Sequence, residues 1–421
     1  MIKDEITQYT VKESILAWGK LRLIWLILFV ASFVFIARET ATARDELIGL
    51  GQIHRIICIF LLGIILLRFF IKAPAIPFKS IFFFLTIFSF WQMATSIWST
   101  FTLWTIYRST EYLIVIWITA YLANSIKNSP ILFSKWVNLT WYLVGLLLLS
   151  VWLSVIIFPN LALLEIKGIV PFMISGLYPR INPNSVSMYG AIIGIVSFVR
   201  LNYSSEKKWK ILFLLAVVTM VLSQGRSGMG AFVLGILFAM MLTRRAGWPL
   251  IIAALIVIFI GYSAFDELLW EFFLRGQNEE QFLFLTGRVT VWQYAYDNFI
   301  QHEPLMGFGA YAAGRFLVLE NYLGWSSLHS TWVESSVGNG IPATLLFALI
   351  IIYAWITLVK YCLANYSNEY NTYFIEIASV FTALIFRSIF TVQLISHSDF
   401  VFFLVMGTVF YIKSNTLNVN R

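Results

Sequence analysis

Apolar runs about long enough to cross a bilayer, separated mostly by short polar links, fill this chain from residue 21 to residue 412. Twelve runs can be drawn, at 21–37, 53–71, 79–98, 109–124, 136–158, 184–201, 208–223, 228–243, 248–265, 339–362, 371–393 and 398–412. Each is expected to be a helix, because the bilayer core has no water to satisfy an open backbone. An even number of crossings puts both ends of the chain on one side. Two links on the other side are long, 159–183 and 266–338. In the second, Val291, Trp292, Tyr294, Ala295, Phe299 and Ile300 recur at helical spacing, which predicts at least one amphipathic helix. The expected architecture is an all-α polytopic membrane protein. Transmembrane helices 1–9 lie in residues 1–265, a mostly helical extramembrane loop domain in 266–338, and transmembrane helices 10–12 in 339–421. The first run lacks a small-residue cleavage site and reads as a retained signal anchor.

Composition agrees: 60% hydrophobic and 12% charged residues exclude an ordinary soluble domain. The net charge of +8 would hint at nucleic acid in a soluble protein. Here lysines account for much of it, and with alternating sidedness nearly all of them fall on the side of the termini, the usual cytoplasmic bias. The opposite side carries Arg38, Arg44, Arg55, Arg108, Arg180, Arg226, Arg275, Arg288, Arg315 and Arg387, with only Lys167 beside them. The orientation rule does not explain those arginines. A guanidinium is a planar fork of donors matched to phosphate oxygens, so an arginine cluster beside a membrane suggests a lipid-linked phosphate or pyrophosphate.

Three outer patches hold polar residues that packing does not require: Arg180-Ile-Asn-Pro-Asn184, Ser223-Gln-Gly-Arg226-Ser-Gly228, and the long link with Thr286-Gly-Arg288 and Leu328-His329-Ser-Thr-Trp-Val-Glu334. Gly225 and Gly228 allow a tight turn, and the next helix starts at once, so Arg226 plus free helix N–H groups can hold a phosphate. An arginine snorkelling to headgroups explains the same residues equally well. Arg288 follows Gly287 and precedes the amphipathic helix; alone it reads more readily as a solvated loop arginine. Arg180 is similar, and Asn182 and Asn184 can be simple turn residues around Pro183. Convergence of three arginines on one face favours a site.

His329 is the candidate for proton transfer. It precedes Thr331-Trp-Val-Glu334, which has the form of a helix capping box. The positive end of that helix disfavours the imidazolium, leaving a neutral base. A surface histidine remains the plainer alternative. Glu111, Glu267 and Glu271 fit salt bridges better than a proton relay. Gly190 and Gly194 have the spacing of close helix packing. Cys58 and Cys362 have neither disulfide nor metal-ligand spacing. No cluster has metal-ligand spacing and no nucleotide loop occurs, so no metal, cofactor or nucleotide sugar is expected.

Those residues resemble the O-antigen ligase and O-antigen polymerase superfamily of bacterial inner membranes. The resemblance rests on Ser223-Gln-Gly-Arg226-Ser-Gly, on Thr286-Gly-Arg288 with Trp292, and on Pro304-Leu-Met-Gly307-Phe-Gly309. Its most specific piece is His329-Ser330, nine residues, then Gly340; three positions on, Ala343 departs from the family's pattern. Arg180-Ile-Asn-Pro-Asn184 is similar to a segment before the family's sixth span. The resemblance implies a metal-independent inverting transferase with its active site facing the periplasm. Its donor would be a glycan on undecaprenyl pyrophosphate. Arg226 and Arg288, with Arg180, would hold the pyrophosphate, and His329 would deprotonate the acceptor hydroxyl. Asn184, Gly287 and Glu334 would support them. The acceptor would be another lipid-linked repeat unit for a polymerase, the narrowly preferred reading, or lipid A-core for a ligase. A transporter of lipid-linked sugars is the alternative of another class, but it would be expected to carry mid-span charges and internal repeats. A passive structural subunit would not require the arginines.

Overall fold

The computed structural model describes residues 18–35, 50–167, 169–243, 271–272, 274, 287–318, 327–365, 368, 370–396 and 399–419. The expected span 248–265, with Arg38, Arg44, Glu267, Arg275, Thr286 and His397, lies outside them. The described chain is mostly helical. The helices are α1 (18–31), α2 (Leu50–Lys72), α3 (Ile81–Ala94), α4 (Thr102–Ile126), α5 (Pro130–Ile157) and α6 (Pro183–Leu201), followed by α7 (Lys207–Ser223), α8 (Arg226–Thr243), α9 (Arg288–Ala295), α10 (Thr331–Ala364), α11 (Asn371–Ser388) and α12 (Phe400–Val419). Five described helices are long and apolar enough to cross a membrane: α2, α5, α6, α8 and α10. Ile81–Ile97 and Phe400–Asn415 are shorter apolar helices. Many large apolar side chains, such as Ile71, Ile156 and Leu349, face outward, as a lipid-facing surface requires.

Local chemistry fixes several helix starts. Ser129 accepts a hydrogen bond from Leu132 N–H (3.2 Å) ahead of Pro130, and Asn182 accepts one from Ser185 N–H (2.8 Å) ahead of Pro183. Both combine an N-cap oxygen with a proline where no donor is needed. The core is aromatic: the Trp25 and Trp136 rings meet edge-on at 5.0 Å, and Phe133 stacks on Tyr411 at 4.4 Å. Gly190 and Gly194 bring α6 against α7 and α8, since added Cβ atoms would collide with Met220 and Phe232. That is the packing role their spacing implies.

The structure departs from the expected boundaries in three places. First, the 159–183 link contains a short antiparallel hairpin, β1 (Leu163–Glu165) with β2 (Phe172–Ile174), in an otherwise helical chain. Strands of three residues are too short to leave a period in the sequence. Second, the apolar run 371–393 is not helical throughout: α11 stops at Ser388. Residues 389–396 fold back in non-helical form because their polar groups have other partners. Thr331 Oγ1 lies 3.0 Å from Thr391 O and 2.7 Å from Gln393 O, and Leu394 has φ +67°.

Third, α10 begins at Thr331, inside the segment assigned to the loop, and bends at Gly340 (φ +80°). Pro342 has no N–H, so the carbonyl of Gly338 loses its helical partner. Gly338 O accepts from Gly309 N–H (3.0 Å) instead, and Val337 O from Phe308 N–H (2.9 Å). Ile341 N–H in turn donates to Pro304 O (2.7 Å). The Pro304–Gly309 segment is thereby laced onto the bend. Any Cβ at Gly340 would strike the Leu305 backbone, which explains a glycine there. Ser330 and Gly340 are ten residues apart, so the first leg of α10 is about 15 Å long. The departure at Ala343 costs little, because a small buried side chain fits. Beside this leg, Val291, Ala295, Ala313, Val318, Leu328 and Val337 form a small core of their own, separate from the main one.

Candidate functional site

The ends of α6, α8, α9, α10 and α11 converge on a basic site. The α7–α8 turn carries Arg226. Its left-handed residue is Gln224 (φ +51°), whose amide donates to Val170 O (3.0 Å) and Phe172 O (2.9 Å), tying the hairpin to the turn. Gly225 and Gly228 serve close packing instead: a Cβ on either would collide with Ser187 of α6, whose hydroxyl donates to Gly225 O (3.0 Å). The glycines thus allow the close backbone approach, while the left-handed turn position falls to Gln224. Arg226, the first residue of α8, donates through Nη2 to Leu274 O (3.1 Å).

Gly287 caps α9 in the left-handed region (φ +83°), and Arg288 follows, donating through Nη1 to Phe390 O (3.0 Å). Trp292, one turn further along, donates to Leu328 O (2.7 Å) and fixes the backbone immediately before His329. His329 itself is left-handed (φ +52°), a region that few residues other than glycine occupy and that histidine tolerates better than most.

The capping box is displaced by one residue from the expected register. The cap of α10 is Ser330, whose side chain accepts from Val333 N–H (3.4 Å). Thr331 is engaged by residues 391–393, and accepts from Gln393 N–H (2.9 Å). Glu334 does not reach back to the cap; its carboxylate accepts from Leu328 N–H (3.3 Å) and packs directly on Gly314. It therefore supports the loop that presents His329.

Arg288 is the electrostatic centre. Its positive charge acts on Arg226, on His329 and on Arg387. Burial pulls the His329 imidazole down to about 4, and the Arg288 charge pushes the same way. The ring is therefore neutral at pH 7, as expected from sequence, although the main cause is burial. Burial also lowers Arg288 from its ordinary value. The hydrogen bonds from Arg226 and Arg288 to Leu274 and Phe390 go to backbone carbonyls.

Arg387 was one of the outer arginines in the sequence but carried no local sign of a site. It is buried near the end of α11, donating through Nη1 to Gln393 Oε1 (2.8 Å) and through Nη2 to Asn184 O (3.2 Å). Asn184 thus contributes its backbone, and it lies beside Gly225 at the Arg226 turn. Arg387 also lines a cavity of about 240 Å³ with Asp399 and Arg180. Burial raises Asp399 to about 6, against the opposing pull of its Leu394 N–H bond and of Arg387. Arg180 has a different setting from Arg226 and Arg288. It is exposed, and it lines this cavity and a larger neighbouring one, neither of which includes those two residues.

An apolar groove of about 600 Å³ adjoins the site, lined by Leu234 of α8, Trp332 and Trp355 of α10 and Phe386 of α11 among others. Trp332 is three residues past His329 and donates to Ser388 Oγ (3.1 Å). Leu234 is eight residues past Arg226 on the same helix, roughly two turns away. The basic site and an apolar groove are therefore built on shared helices. Elsewhere, Arg108 pairs with Glu111 on α4, the salt-bridge role expected of that acid. Among the described residues no three His, Cys, Asp or Glu side chains cluster as a metal site would need.

A family model described as O-antigen ligase matches residues 211–348, about a third of the chain. No curated protein matches. The matched segment contains the Arg226 turn, the Gly287-Arg288 helix start, His329 and the Gly340 bend. Over that segment the chain resembles the O-antigen ligase and polymerase superfamily of membrane glycan transferases.

Proposed function

We propose that this protein is a metal-independent inverting glycosyltransferase of a bacterial inner membrane, working on the periplasmic face. It moves a glycan from undecaprenyl pyrophosphate to an acceptor hydroxyl. The observation that carries the reading is a neutral histidine beside Arg288, with Arg226 in the same electrostatic cluster, on helices that also line an apolar groove. The chemistry needs those parts. A polyprenyl pyrophosphate is an apolar chain with an anionic head, which such a groove and the two arginines match in order. Arg226 and Arg288 hold the pyrophosphate and neutralise the charge that grows on it as the sugar leaves.

The acceptor oxygen attacks the anomeric carbon from the face opposite the pyrophosphate. As that C–O bond forms, the bond from the anomeric carbon to the pyrophosphate oxygen breaks. The pyrophosphate keeps the electron pair, and the hydroxyl proton passes to His329. A single displacement inverts the anomeric centre. An imidazole held near 4 is by itself a weak base. The incoming pyrophosphate brings negative charge next to Arg288, which raises the imidazole's basicity when the donor is present. Gly287 sets the start of α9, while Asn184 and Glu334 hold the backbone around the reacting groups. No step calls for a metal, because arginines can supply the compensating charge.

The acceptor is, on this reading, another lipid-linked repeat unit, as in an O-antigen, capsule or exopolysaccharide polymerase. The family description favours the second reading, a ligase with lipid A-core as acceptor. Incubating the purified chain with a synthetic undecaprenyl pyrophosphate glycan and each acceptor in turn decides between them. Transfer to neither acceptor would refute the transferase assignment.

A further inference from the structure

The larger cavity beside Arg180 has a volume of about 720 Å³ and three arginines in its wall: Arg55 from α2, Arg180 from the segment before α6, and Arg315 from the loop. They come from three separate stretches of chain. Among the described residues lining it, none is acidic. Arg315 is flanked by the Trp104 and Phe316 rings, 5.0 and 5.2 Å from its Cζ, which fixes the guanidinium against aromatic faces. On another side the wall is apolar: Phe158, Leu161 and Leu164 line it and are each at least 40% exposed. Three cationic forks beside an exposed apolar lip match an amphiphile with an anionic head. A small soluble anion would have no use for the lip.

Two connections run from this cavity to the proposed reaction centre. Arg180 is shared with the smaller cavity of Arg387, whose guanidinium bonds to Asn184 O (3.2 Å) beside the Arg226 turn. On the other side Arg315 follows Gly314, which packs on the Glu334 carboxylate. That carboxylate accepts from Leu328 N–H, one residue before His329 (3.3 Å). The cavity thus borders the same structure that positions the base, but its wall contains neither Arg226, Arg288 nor His329.

We infer that this cavity is a second phosphate site, which holds the phosphate or pyrophosphate of the acceptor glycolipid while Arg226 and Arg288 hold the donor. The inference rests on the transferase reading for the word acceptor, but the binding site itself does not. It moves Arg180 from the donor to the acceptor. Both possible acceptors carry the required chemistry, as a lipid-linked repeat unit has a pyrophosphate and lipid A has phosphates.

The test is a binding measurement on the full chain in phosphatidylcholine nanodiscs, with undecaprenyl pyrophosphate and lipid A as separate probes and phosphatidylglycerol as control. For at least one of the first two probes, the Arg55→Gln/Arg315→Gln variant is expected to bind at least tenfold more weakly at one site. The Arg226→Ala/Arg288→Ala variant keeps that site. Loss of undecaprenyl pyrophosphate binding identifies a lipid-linked acceptor, and loss of lipid A binding identifies a lipid A-core acceptor. Retention of the Arg226/Arg288 site in the first variant shows that it is folded. Unchanged binding of both probes in Arg55→Gln/Arg315→Gln overturns the inference, and so does an equal loss of phosphatidylglycerol, which would mark a bulk-lipid contact. If the binding pattern holds but no glycan is ever transferred, the transferase reading fails and the second site stands.

Discussion

The pair α6 and α11 carries a buried arginine arrangement at each end, and the two arrangements are opposites. At one end Arg200 donates through Nε to Glu376 Oε1 (2.6 Å) and through Nη2 to Glu376 Oε2 (3.1 Å) and Asn138 Oδ1 (2.7 Å). Trp141 donates to the same carboxylate (2.8 Å), and the guanidinium sits 4.6 Å from the Trp209 ring centre. That set is closed: opposite charges meet in a bidentate pair, and both carboxylate oxygens accept hydrogen bonds. At the other end, eleven residues along α11 and about 16 Å away, Arg387 reaches Asn184 and Gln393 inside the field of Arg288. Arg288 and Arg226 are bonded to carbonyls there. The first arrangement has its anion built in and holds helices together. The second places Arg226 and Arg387 in the field of Arg288, with Asp399 acting on Arg387, and its guanidinium hydrogen bonds to Leu274, Phe390, Gln393 and Asn184 go to uncharged oxygens rather than to a carboxylate. Burial of an arginine alone does not distinguish structure from function, whereas what its fork binds does.

The contrast is sharpest in what each end loses on mutation. His329→Ala should reduce turnover about 10²–10⁴-fold while donor binding persists. Arg226→Ala and Arg288→Ala should each reduce it about 10²–10³-fold, and lysine should rescue poorly, since a point charge does not reproduce the fork. Thermal unfolding of these variants should stay near wild type. At the closed end the pattern reverses. Arg200→Ala or Glu376→Ala leaves a buried partner uncompensated and should cost about 3–5 kcal/mol of stability, read by denaturation in detergent, with turnover kept in the folded fraction. An active, stable Arg200→Ala together with an unfolded Arg288→Ala would invert the comparison.

A smaller effect is expected at the seam between the helices. Thr331→Val leaves the 391–393 backbone without its hydroxyl partner, at a cost of about 1–3 kcal/mol. Turnover should fall only a few-fold, because Trp292 still holds Leu328 O. The pH dependence sharpens the electrostatics. On the proposed mechanism His329 must be neutral to act, and its value of about 4 places the expected acid limb of kcat/KM near pH 4. The limb of kcat reports the donor complex and should lie at higher pH, because bound pyrophosphate favours the imidazolium. Removing the Arg288 charge should move the kcat/KM limb upward. A limb that stays fixed in Arg288→Ala would separate the two residues.

Much of this was legible in the sequence, for identifiable reasons. Long apolar runs dictate helices in a bilayer, and the structure has helices at every described run. Arg226, Arg288 and His329 each sit at a turn or helix start, where glycine and capping residues mark the chain. Arg387 does not: it lies inside the apolar run 371–393 with no glycine or proline beside it, and only the fold brings it to Asn184. The run 371–393 read as a single helix because Ile389, Phe390 and Val392 are apolar, while the hydrogen bonds that bend it come from Thr331, sixty residues away. The role of Gly340 in the bend needs the carbonyls of Pro304 and Leu305, which sequence spacing does not supply. Gln224, not a glycine, takes the left-handed turn position because its amide has two carbonyl partners in the hairpin.

On the proposed mechanism Arg226, Arg288 and His329 transfer a glycan from a lipid pyrophosphate without a metal. Turnover of the purified chain with a synthetic undecaprenyl pyrophosphate donor, in the presence and absence of chelator and alongside His329→Ala, tests it most directly. Chelator-resistant transfer with inversion at the anomeric carbon is expected, with a loss of at least about 10²-fold in His329→Ala. Transfer that stops with chelator, or a His329→Ala variant within a few-fold of wild type, would contradict that mechanism.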